Sequence, residues 1–160
     1  MDKSAYISKC KKYRYWLYRS WDKNKKICAF IMLNPSTADG KVDDPTIRKC
    51  IMYAERLGYG SLYVVNLFAF RATNKKEIMK VDNPVGPEND KNILEIAKKS
   101  NIIIAAWGEY GKYLDRSSVV LNELYRKGYK VFCLKLTKCN EPYHPLYLKK
   151  DLSLISLNPK

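Results

Sequence analysis

Apolar positions along this chain cluster in short runs that alternate with amphipathic stretches. Residues 27–33 are apolar without a break and stop at Asn34 and Pro35, the pattern of a strand buried on both faces. Residues 61–65 and 101–106 repeat it, ending at Asn66 and Trp107, and residues 131–134 form a shorter fourth run. Between the runs the period changes to that of a helix. Ile47, Cys50, Ile51, Ala54 and Leu57 share one face, with Asp44 suited to the N-cap, Pro45 to the first helical position and Gly58 to the end. A second helix, capped by Asp90, carries Ile93, Leu94 and Ala97. A third carries Leu114, Val120, Leu121, Leu124 and Tyr125 and stops at Gly128. Ahead of these elements, residues 13–21 are aromatic and partly alternating, which predicts a further strand. Residues 67–89 read as a long ordered loop, and the tail beyond Leu148 is assigned to no element.

Strands alternating with helices build βαβ units. The expected fold is therefore a three-layer α/β/α domain with a mostly parallel four-stranded central sheet and an N-terminal antiparallel strand added at an edge. Residues 1–26 would form a basic, aromatic arm with this edge strand, 27–148 the core and 149–160 a tail. In such sheets ligands bind outside the carboxyl ends of the strands. Candidate chemistry therefore belongs to residues 34–44, 66–72, 107–110 and 136–147.

Composition narrows the class. At 160 residues the chain has about one domain's length and needs no disulfide or metal staple. Lys and Arg number 30 against 16 Asp and Glu, a net +14, and residues 1–26 carry half of it. Hydrophobic residues make up 46%, which excludes a disordered basic tail. A folded basic domain suits a polyanionic partner: DNA first, with a nucleotide or RNA as alternatives. A basic surface that only solvates the protein is the plainer explanation. No apolar run is long enough for a membrane span, and the charged N-terminus does not resemble a signal peptide. The five cysteines are scattered, without a metal-ligand spacing, so reduced thiols in a cytoplasmic protein with no metal or cofactor are expected.

The strand ends carry the candidate site. Pro35 fixes a turn crowded with polar side chains, among them Asn34, Ser36, Thr37 and Asp39. There is no Gly-rich phosphate loop. Asn34 can hold a water or a substrate amide, or simply close an Asx-turn. Asn66 can read the amide-like edge of a nucleobase, with Phe68 or Phe70 stacking on its face, or it can cap its loop while both rings join the core. His144, the single histidine, stands between Pro142 and Pro145 and can donate a hydrogen bond or a proton near neutral pH.

Together, Asn-Pro-Ser after the first run, Asn after the second and His-Pro after the fourth resemble the uracil-DNA glycosylase superfamily. The longer set looks like a bacterial and phage domain family of no established function, over roughly residues 13–148. That set comprises residues 33–39, Asp44-Pro45-Thr46, residues 66–71, residues 84–90 and His144-Pro145-Leu146. The glycosylase resemblance implies that Asn34 positions the attacking water, Asn66 reads the base and His144 stabilises the departing base. The more particular resemblance marks Thr37, Asp39, Arg48, Arg71 and Asn89 as signature positions. Asn34 is no strong base, so Asp39 or Asp43 would supply any carboxylate the chemistry needs. Lys135, Lys138, Lys149 and Lys150 would track phosphates, and Leu146 or Tyr147 could wedge into a base stack. Two functions follow: hydrolysis of the N-glycosidic bond of a damaged or modified base in DNA or a nucleotide, or a non-catalytic module that retains the base pocket.

Overall fold

The structure is a computed structural model, described here over residues 1–36, 40–150 and 153–157. Strands β1 (Asp2–Ile7), β2 (Arg14–Ser20), β3 (Ile27–Met32), β4 (Ser61–Asn66), β5 (Ile102–Ala105), β6 (Val131–Cys133) and β7 (Ile155–Leu157) form one mixed sheet, in the order β1-β2-β4-β3-β5-β6-β7. The pairs β4–β3, β3–β5 and β5–β6 are parallel. The pairs β1–β2, β2–β4 and β6–β7 are antiparallel.

The unbroken apolar runs follow from cover on both faces. Helix α1 (Pro45–Arg56) brings Ile47, Cys50 and Ala54 against Cys28, Phe30, Leu62, Val64 and Ile104. Helices α2 (Asn89–Lys99) and α3 (Arg116–Arg126) bring Ile93, Ile96, Val120 and Leu124 against the alternate residues Ala29, Ile31, Val65, Ile103 and Ala105. Asp44 caps α1 as its position suggested, accepting from the Ile47 N–H at 2.8 Å. Cys28, Cys50 and Cys133 are buried free thiols, and burial pushes each of their pKa values up. Among the described residues, no helix is long and apolar enough to cross a membrane.

The N-terminal aromatic strand is corrected: β2 is not an edge strand but lies between β1 and β4. Residues 2–7 form the outer strand. Their exposed, charged first half suits a sheet edge, where hydrogen bonds need cover on one side only. The unassigned tail supplies the short strand β7 beside β6. Helix α2 begins two residues early, with Glu88 at the N-cap and no side-chain cap. Asp90 instead pairs with Arg116 at 2.7 Å. Helix α3 begins at Arg116 and not near Leu114, because Leu114 and Asp115 take left-handed backbone (φ 51° and 57°) that breaks the helical turn. The long loop contains a 3₁₀ turn, Lys75–Lys80, pinned by the fully buried Ile78.

Candidate functional site

The order of strand connection reverses at β3: the next parallel strand, β4, lies on one side of it and the one after, β5, on the other. A crevice opens outside the carboxyl ends at such a reversal. A pocket of about 510 Å³ occupies this position, with Met32, Leu33 and Asn34 from the end of β3, Asn66 from β4, Trp107 and Gly108 after β5, and His144 beyond β6. Ser36, Asp44, Lys75, Glu109, Tyr110, Tyr147 and Arg14 complete much of its wall. Asn34, Asn66 and His144 thus share one pocket, although they are far apart in sequence.

The polar groups are held in distinct states. Asn34 donates through Nδ2 to the Pro35 and Ala72 carbonyls at 3.1 and 3.0 Å, which leaves its Oδ1 to accept from a ligand or water. Asn66 is 1% exposed, and its Nδ2 has no partner among the described residues. The Ser36 Oγ is in the same condition. Buried polar atoms in native proteins are nearly always paired, so unpaired donors facing one pocket point to a ligand. The backbone at Asn66 is itself clamped: Asn89 Nδ2 donates to the Asn66 and Leu67 carbonyls at 2.8 and 3.1 Å, and Arg116 Nε to the Leu67 carbonyl at 3.0 Å.

His144 accepts the Leu146 N–H at Nδ1, 3.2 Å away. Burial lowers its pKa, the charge of Lys75 lowers it further, and Asp44 works in the opposite direction. The imidazole is therefore neutral at pH 7, and with Nδ1 accepting, the proton sits on Nε2. Such a ring can donate a hydrogen bond without carrying charge. Trp107 is 1% exposed and held by its Nε1–H to Glu141 at 2.6 Å, and Glu141 also accepts from Ser117. Gly111 packs so closely on this indole that a Cβ there would lie 2.2 Å from Trp107 Cδ1. Tyr147 is 76% exposed, its ring 5.7 Å from that of His144, so it stands at the pocket mouth.

With this geometry in place, the comparison with known families is specific. The profile described as "Protein of unknown function (DUF1643)" matches residues 14–146. The chain belongs to the DUF1643 family. That span agrees with the resemblance to an uncharacterised family over roughly residues 13–148, and the match carries no link to the glycosylases. No curated protein and no solved structure gives a match.

Several residues of this DUF1643 chain stand elsewhere than the sequence suggested. Phe68 is not a stacking platform: it is fully buried in the core against Tyr113. Phe70 lies edge-on to Tyr13 and does not line the pocket. Trp107, Tyr110 and Tyr147 are the pocket's aromatic surfaces instead. Pro35 is buried behind the wall, where its carbonyl accepts from the Ala72 N–H. Asp43 is engaged by Arg19 at 2.7 Å and Lys3 at 3.1 Å and does not line the pocket, whose described carboxylates are Asp44 and Glu109. Thr37 and Asp39 lie outside the described residues.

Arg48 is exposed and donates to the Asp43 carbonyl, and Arg71 donates to the Lys11 carbonyl; both act on loops outside the pocket. Asn89 supports the end of β4 from behind. Lys138 and Lys149 are exposed on the segment that carries His144, outside the pocket wall. Among the described residues, no group of three His, Cys, Asp or Glu could hold a metal ion. Sequence reasoning missed Arg14, whose side chain lines the pocket at 4% exposure. It sits among aromatic residues in a strongly basic segment, and nothing in that pattern separates it from the surface lysines.

Proposed function

We propose that the pocket binds a nucleobase and hydrolyses the N-glycosidic bond of a damaged or modified base, in DNA or in a nucleotide. One observation carries this reading: the buried Asn66 amide has an unpartnered Nδ2 in a pocket shared with Asn34 and a neutral His144. A carboxamide can donate to one group of a base edge and accept from the next. Tyr110 and Tyr147 offer ring surfaces to the base.

The roles follow from the charges that develop. As the bond breaks, its electron pair leaves with the base, and the anomeric carbon becomes cationic. His144 donates from Nε2 to the base oxygen on which negative charge grows. Asn34 Oδ1 accepts from a water, whose oxygen bonds the anomeric carbon. That water loses one proton to solvent, and the departing base nitrogen takes one up. Asp44, a carboxylate on the wall, stabilises the cationic sugar. Phosphates of a polymer substrate would meet the exposed Lys135, Lys138, Lys149 and Lys150. DNA affinity would then fall steeply with added salt.

The second reading, a binding module without chemistry, draws on one feature: Asn34 is no base, and Asp44 Oδ1 is already engaged by the Ile47 N–H. Mass spectrometry of uracil-containing, deaminated and hypermodified oligonucleotides and nucleotides separates the two. The hydrolase releases free base, and Asn34→Ala, Asn66→Ala and His144→Ala each suppress it. Binding of these substrates with no base released from any of them refutes hydrolysis and leaves the module.

A further inference from the structure

We infer that Arg14 anchors a terminal phosphate, so that the pocket takes a nucleoside monophosphate rather than a neutral nucleoside. This deepens the proposed function and relies on it for the base half of the ligand. The Arg14 side chain is 4% exposed, its Nε is buried without a partner, and its guanidinium makes no hydrogen bond or ion pair with any described residue. Burying an unpaired guanidinium is among the costliest things a fold can do, and such groups are normally matched by a carboxylate.

No carboxylate of a described residue comes within ion-pair distance of Arg14. Asp43 pairs with Arg19, and Asp44 acts on Arg14 through its charge without coming within ion-pair distance. Arg71 and Arg19 add like charge. The pocket is thus left with an inward-facing cation beside two further unpaired donors, Ser36 Oγ and Asn66 Nδ2. A phosphate accepts at every oxygen and suits a guanidinium fork, which makes it the natural complement of a donor surplus.

Size and depth select the form of the phosphate. About 510 Å³ falls within the roughly 300–1,000 Å³ that encloses drug-sized ligands, the class of a nucleotide and larger than one base needs. Arg14 is 4% exposed and lines the pocket together with the buried Met32, Val64 and Asn66, as an inner-wall group does. A group that reaches this depth must end there. A phosphomonoester does, whereas a phosphodiester continues in both directions.

Titration calorimetry on the full chain tests this with 5′- and 3′-deoxynucleoside monophosphates (dUMP and the common four), the matching nucleosides, dinucleoside phosphodiesters, and inorganic phosphate as competitor. One monophosphate should bind on the order of tenfold or more tighter than its nucleoside. Inorganic phosphate should compete with it, Arg14→Gln should abolish the preference, and Arg14→Lys should keep part of it. Equal affinity for nucleoside and monophosphate, no binding of any monophosphate, or a preference that survives Arg14→Gln overturns the inference. A diester that binds as well as the monoester overturns its terminal character. Should Arg14→Gln not fold, competition on the native chain decides, and failure of phosphate to compete is fatal. Base release is followed in the same samples. A monophosphate preference without base release upholds the phosphate anchor and refutes hydrolysis; base release without that preference does the reverse.

Discussion

Arg14→Met should make the ligand-free protein more stable, an unusual expectation for a buried residue of this size. Burial pushes the Arg14 pKa down from the ordinary guanidinium range to about 10. At about 1.36 kcal/mol per pKa unit, holding the charge in place costs roughly 3 kcal/mol. No ion pair with a described residue offsets it. Met keeps most of the unbranched stem and removes the charge, and replacing buried ionic groups by apolar ones of similar volume commonly stabilises by about 1–4 kcal/mol. For a chain of this length each kcal/mol moves Tm by roughly 2–4 °C. A rise of several degrees is therefore expected by calorimetry or circular dichroism without ligand, with an unchanged urea m-value. Adding phosphate or the preferred monophosphate should narrow the gap, because it stabilises the native chain alone by mass action. A Tm that falls by several degrees would show instead that Arg14 holds the fold together, and the expectation would be lost.

The His144 pKa is lowered by burial, so between its folded value and about 6.5 the unfolded chain binds more protons and stability rises with pH. Stability should fall as pH drops below about 6.5, and His144→Asn should flatten that part of the profile in urea titrations across pH. Turnover should fall only at lower pH, where the folded ring itself takes up a proton, and an alkaline-side loss assigned to this ring would contradict the neutral-donor role. Asn89→Ala removes two hydrogen bonds to the Asn66 and Leu67 carbonyls and should cost about 2–4 kcal/mol in chemical denaturation; a loss under about 1 kcal/mol would show that the clamp is not needed. Gly111→Ala puts a methyl against the Trp107 indole and should cost roughly 1–3 kcal/mol and shift the tryptophan emission. An unchanged spectrum and Tm would mean that the indole moves freely.

Much of the fold can be read from the chain. The four runs are almost wholly apolar because helices cover both faces, and the punctuation by Asn34, Asn66 and Trp107 marks where three of the strands meet loops that line the pocket. The residues at those ends can be named from the amino-acid pattern because sheets of this kind place them together. Strand order was beyond reach: alternation says that β2 pairs, not with which neighbours. Residues 2–7 carry little apolar signal, since an outer strand needs little burial. Phe68 and Phe70 follow Asn66 closely, but the backbone beyond β4 sends the first ring into the core and the second against Tyr13.

The βαβ organisation, the location of the pocket at the carboxyl ends and the meeting of Asn34, Asn66 and His144 on its wall follow from the chain, because local periodicity and chain direction dictate them. Which groups in that pocket are partnered emerges only once the chain is packed. Asp43 and Asp44 are neighbours in the chain, yet one neutralises Arg19 and the other faces the pocket. Arg14 and Arg19 look alike in sequence, yet among the described residues Arg19 has an ion-pair partner and Arg14 has none. Hydrogen-bond partnership depends on distances of a few ångströms between segments far apart along the chain, and no local pattern encodes them.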